Sequence, residues 1–141
     1  MKVLFSILSL TLLTNYVFSS VTVIGREETT LCYLAAKAGY SGNISIRTCQ
    51  KALVDDLLTT KDRSGTQVNL GIVFNNSFLP DKALESFEQA KNFEDLKPEV
   101  FLNSGNSYFL KMDFWTAVDY YDRSLEAGLK EQSAAYYNKG L

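Results

Sequence analysis

The chain repeats itself, and that constrains its fold more than any other feature. Val68-Asn69-Leu70-Gly71, Leu102-Asn103-Ser104-Gly105 and Tyr137-Asn138-Lys139-Gly140 share the pattern x-Asn-x-Gly, with the glycines 34 and then 35 residues apart. Gly71 is followed by Phe74 at +3, Ala83 at +12, Phe87 at +16 and Ala90 at +19. Gly105 is followed at the same offsets by Tyr108, Ala117, Tyr121 and Ser124. The blocks 83–88 and 117–122 agree in residue type at five of six places. A unit of this length cannot bury its apolar face alone, so successive units must stack. Glycine on one helix and alanine on the next let two backbones approach, and the aromatics fill the space above and below that contact.

The punctuation between these positions is that of helical hairpins. Residues 20–28 read as an extended lead-in. Thr29 or Thr30 can cap a helix that Gly39 ends, and a second helix runs from about Ile44 to Leu57. Thr59 with Asp62 resembles a capping box ahead of a helix reaching about Phe74, which Asn75-Asn76 stops. Pro80 and Lys97-Pro98 open further helices, since the first helical turn has no use for the missing N–H. Asp113 caps a helix over 114–127 that Gly128 ends, and a last helix begins near Gln132. The expected class is all-α, helical hairpins stacked as a short solenoid.

The 34-residue pattern resembles the tetratricopeptide repeat, over residues 64–141. The resemblance divides the chain into repeats 64–97 and 98–131, with 132–141 starting a further, incomplete one. Setting Tyr33 where the glycine belongs makes 29–60 a degenerate first hairpin, with Cys49 in the place of the aromatic; an unrelated helical cap is the other reading. In that register Cys32 and Cys49 lie at similar heights on facing helices, where a disulfide would replace the missing aromatic contact. Two unrelated buried thiols are the alternative.

Family members bind peptides or proteins on the concave face lined by their first helices. The resemblance implies groove positions at Val68, Ile72, Asn75 and Asn76, then Glu99, Leu102, Asn106, Phe109 and Leu110. Val68 and Ile72 stand where a chaperone-tail binder needs Lys and Asn, which argues against that ligand. Packing against a further repeat is the plainer reading of the apolar positions. The regular place of Asn69, Asn103 and Asn138 beside glycine favours a structural role, such as bonding a neighbouring backbone. Tyr120-Tyr121 and Tyr136-Tyr137 read as packing. An unpaired apolar edge around Tyr136 and Leu141 implies either a partner or a second copy that completes it, or a truncated form of a longer relative.

The N-terminus carries a different signal. Lys2 precedes an apolar run over 3–13, Asn15 breaks it, and Val17-Phe18-Ser19-Ser20 offers compact residues at a cleavage site. Residues 1–19 read as a secretory signal peptide cut after Ser19. The rival is an anchor over 3–24, for which seven Ser, Thr or Asn among residues 3–20 are unfavourable. Export places the two cysteines in an oxidising compartment, the periplasm on this reading, with secretion as the alternative. Asn43-Ile44-Ser45 and Asn75-Asn76-Ser77 match the glycosylation pattern, which matters only in a eukaryotic host.

Charge and chemistry narrow the function. The chain holds 14 Lys plus Arg against 16 acids, too balanced for nucleic acid. It has no His, which removes most zinc sites and His-dependent nucleophile systems. Asp55-Asp56 and Glu94-Asp95 look like solvated charges, and Cys32 and Cys49 are too far apart for a short-spaced redox pair. The expectation is a non-enzymatic interaction module with no catalytic residue, cofactor or metal. It would bind a protein or peptide and touch a membrane only through an uncleaved leader. A structural, self-associating role is the alternative.

Overall fold

The computed structural model describes residues 16–23, 27–55 and 57–140. Within them the chain forms seven α-helices and no strand: α1 (Glu27–Lys37), α2 (Gly42–Leu53), α3 (Thr60–Asn76), α4 (Pro80–Ala90), α5 (Lys97–Leu110), α6 (Phe114–Glu126) and α7 (Gln132–Lys139). A short 3-10 turn, Glu94–Leu96, leads into α5. Residues 1–15, the greater part of the leader and of the alternative anchor, lie outside the described residues, as do Asp56 and Leu141. None of the described helices is long and apolar enough to cross a membrane.

Some helix boundaries follow local chemistry, while α1 starts at Glu27, ahead of the expected caps Thr29 and Thr30, and α3 runs on through Asn75 and Asn76. The Thr59 hydroxyl accepts from the Asp62 N–H at 3.1 Å and donates to the Asp62 carboxylate at 2.7 Å, which fixes the start of α3. Asp113 accepts from the Thr116 N–H to start α6. α2 ends at Leu53, four residues short of the expected Leu57. The Arg63 guanidinium of α3 takes the carbonyls of Leu53 and Asp55, at 2.6 and 2.8 Å. Orphan carbonyls at a helix end need donors, and this arginine supplies them from the next hairpin.

Four helices end alike. At α1 the Tyr40 N–H reaches the Ala35 carbonyl and the Gly39 N–H the Ala36 carbonyl, a Schellman motif with Gly39 left-handed at φ 72°. α6 repeats it with Gly128. α3 and α5 make the same bonds with Phe78 (φ 57°) and Met112 (φ 61°) in the left-handed place. These two residues are 34 apart, and both side chains are exposed.

Helices pack in consecutive pairs, α1 on α2, α3 on α4 and α5 on α6, and each pair packs on the next. α3 also meets α1 and α5. Inside two of the pairs a glycine faces an aromatic ring. A Cβ at Gly71 would sit 2.2 Å from the Phe87 ring, and one at Gly105 would sit 2.4 Å from the Tyr121 ring. Phe74, Ala83 and Ala90 are buried in the first core cluster, and Ala117 and Tyr121 in the second, where Tyr108 packs half-buried; Ser124 is buried too. Gly140 has no such ring over it. In the first hairpin Cys32 and Cys49 are disulfide-bonded (S–S 2.03 Å, Cα–Cα 4.7 Å) and fully buried.

Two outcomes test this account. Phe78→Gly and Met112→Gly should each stabilise the fold by about 0.5–1 kcal/mol in chemical denaturation, because a left-handed L-residue costs about 1–2 kcal/mol and little burial is lost. Replacing both cysteines by alanine should destabilise it by about 3 kcal/mol, the chain-entropy value for a loop of this size.

Candidate functional site

Ahead of α1, residues 16–23 run extended across one face shared by α3, α5 and α7. What holds this segment is a line of asparagines. The Val21 N–H donates to Asn69 Oδ1 at 2.9 Å, and Asn69 Nδ2 returns a bond to the Val21 carbonyl at 2.7 Å. The Ser19 carbonyl accepts from Asn103 Nδ2 at 3.0 Å. The Val17 N–H donates to Asn138 Oδ1 at 2.9 Å. The Val17 carbonyl accepts from Asn138 Nδ2 at 2.8 Å and Asn106 Nδ2 at 2.9 Å.

The pairing has a simple basis. A carboxamide carries one acceptor and one donor side by side, as a peptide group does, so asparagine can bond both backbone groups of one strand residue. In an extended chain residues i and i+2 turn their N–H and C=O to the same side. Val17, Ser19 and Val21 therefore present successive peptide groups to Asn138, Asn103 and Asn69, one repeat for every two residues. The strand runs against the order of the helices, from α7 back to α3.

The asparagines are themselves held. Asn106 Oδ1 accepts from the Tyr121 hydroxyl at 3.0 Å and from Asn138 Nδ2 at 2.9 Å. Asn103 Nδ2 also bonds the Glu99 carbonyl one turn back. All four are buried. Two buried acceptors, Asn103 Oδ1 and Glu99 Oε2, have no hydrogen-bond donor among the described residues.

Gly65 on α3 faces Val21 and Val23; a Cβ there would lie 2.9 Å from a methyl of each. Phe18 packs on the first core cluster and comes within 3.7 Å of a Cβ built at Gly39. Burial pushes the Tyr16 phenol up to about 12, and burial raises the Tyr121 phenol as well, with Tyr16 contributing.

The groove positions taken from the repeat resemblance separate in the structure. Asn106 touches the segment. Val68, Ile72 and Leu102 are buried against the helix core. Asn75 ties two repeats together, donating to the Asn103 carbonyl and accepting from the Ser107 hydroxyl. Asn76 reaches the Tyr40 carbonyl at 3.4 Å. Phe109 stacks edge-on with Phe114, and Leu110 is half-buried. Tyr16, Val17, Phe18, Ser19 and Gly65 were not anticipated as site residues. Their signal was the alternation Val17, Ser19, Val21, Val23, which the reading of a leader ending at Ser19 cut in two.

No three His, Cys, Asp or Glu residues among the described residues group to hold a metal. No protein-family model matches this chain, and no curated protein matches it in sequence.

Asn69→Ala should remove hydrogen-exchange protection at the Val21 amide and leave Val17 protected, and Asn138→Ala should do the reverse. The Tyr16 phenol has its proton held more tightly in the docked strand than in a free one. Docking is therefore at full strength below pH 10 and weakens as pH rises towards 12, which a site-resolved NMR titration of Tyr16 would read.

Proposed function

We propose that this chain is a non-catalytic protein-interaction module, a short tetratricopeptide-like solenoid that binds an extended polypeptide on the concave face formed by α3, α5 and α7. The observation that carries this reading is the line Asn69, Asn103, Asn106, Asn138, which already bonds an extended backbone. Each such bond contributes about 1 kcal/mol net, so the set can hold a strand without a deep apolar pocket. The mode is that of strand addition, with carboxamides standing where a neighbouring strand's peptide groups would be. The 34-residue register of Gly71–Phe87 and Gly105–Tyr121 supports the solenoid.

The chain is exported on this reading, with residues 1–19 as its leader and the periplasm as its compartment. The buried Cys32–Cys49 disulfide fits an oxidising environment. A cut after Ser19 takes Val17 and Ser19 away from Asn138, Asn106 and Asn103 and leaves Val21 on Asn69.

A second reading, self-association, is favoured by α7, where Tyr136 and Tyr137 are 60% and 49% exposed. The two separate by experiment. Chemical cross-linking with mass spectrometry on the exported chain should place partner residues beside Asn103 and Asn106, with a monomer in sedimentation. Cross-links between two copies at Tyr136 and Tyr137, with mass doubling at micromolar concentration, would favour self-association and overturn the groove reading.

A further inference from the structure

The strand in the groove belongs to the chain itself, and this bears on how a partner enters. It is joined to α1 through residues 24–26 alone, so its local concentration at the asparagines is of the order of millimolar. A free peptide making the same bonds competes against that tether. The bonds at Val17, Ser19 and Val21 go to backbone atoms and say nothing about side chains. Recognition of side chains falls to two places, Phe18 against the core beside Gly39, and Val21 with Val23 over Gly65. Gly65 admits those methyls only because it has no Cβ.

We propose that residues 16–23 of the uncut chain are a tethered placeholder, which displacement or the cut after Ser19 clears from Asn103, Asn106 and Asn138, and that the partner is a polypeptide segment of the same kind. It is extended, runs from α7 towards α3, and carries an aromatic residue followed by β-branched residues three and five positions on. It enters as the resident strand leaves. This rests on the groove reading above and adds to it the occupant's pattern and the competition. One acceptor that the resident leaves without a donor, Asn103 Oδ1, belongs to the carboxamide that bonds Ser19 at the middle of the strand. A partner bringing an N–H donor to that point gains a bond that Ser19 does not make.

The test uses the full chain and a fluorescent peptide with the sequence of residues 16–23. Val17→Pro with Val21→Pro removes the two N–H groups donated to Asn138 and Asn69. Loss of exchange protection at the Asn69 and Asn106 side-chain amides, which donate to the Val21 and Val17 carbonyls, and of the high Tyr16 titration would show that the strand has left, and circular dichroism would show that the helices remain. In fluorescence anisotropy this released variant should bind the peptide at least tenfold more tightly than the parent. Adding Asn106→Ala and Asn138→Ala should abolish the gain, and Gly65→Val should reduce it. Equal affinity for parent and released variant, with dependence on the asparagines, would overturn the placeholder and leave the groove reading standing. No binding by a released, helical variant would overturn both. Peptide binding indifferent to the asparagines would place it elsewhere and overturn both. A doubled mass of the parent, with one copy's strand in the other's groove, would overturn competition within one chain.

Discussion

The rest of the molecule depends on two rings lying on two glycines. With Phe87 over Gly71 and Tyr121 over Gly105, the paired helices come closer than any residue with a Cβ would allow. α4 then packs on both α3 and α5, and α3 packs on α5, which brings the helices of Asn69 and Asn103 side by side. In the first hairpin a disulfide between Cys32 and Cys49 joins α1 to α2 and holds their Cα atoms 4.7 Å apart.

The asparagine line then solves a matching problem. Two residues of extended chain advance about 6.6 Å, whereas packed helix axes are about 8–10 Å apart. The side chains take up the difference by converging, most plainly at Val17, where Asn106 and Asn138 both reach one carbonyl. Burying a strand's peptide groups without partners would cost more than the packing returns. Each asparagine that supplies both a donor and an acceptor removes that cost. The same economy explains the interior of the stack, where Asn75, Ser107 and Tyr121 join neighbouring helices by side-chain bonds within the hydrophobic layers.

Much of the helical order was legible along the chain. Pro80 and Pro98, Thr59 and Asp113, and Gly39 and Gly128 are local signals, and each acts within one turn of its own position. The end of α2 was not legible, because the donor that closes it is Arg63 of the next helix. The left-handed ends at Phe78 and Met112 were equally hidden, since neither residue favours that conformation. The site was half legible. The repeated asparagines stood out by their register, but their partner lies 48 residues from Asn69 and 121 from Asn138. Nothing local connects Val17 with Asn138.

By itself the sequence determined an all-helical chain with a repeat of about 34 and paired small and aromatic residues, and it left open whether Cys32 and Cys49 join. These follow from short-range periodicity and from the size of side chains, which act wherever the chain goes. Only the tertiary structure decided that Asn69, Asn103, Asn106 and Asn138 turn to one face, and that residues 16–23 lie across it. The physical reason is that a strand's hydrogen bonds are made to whatever lies alongside it, and what lies alongside is known only after the helices have packed.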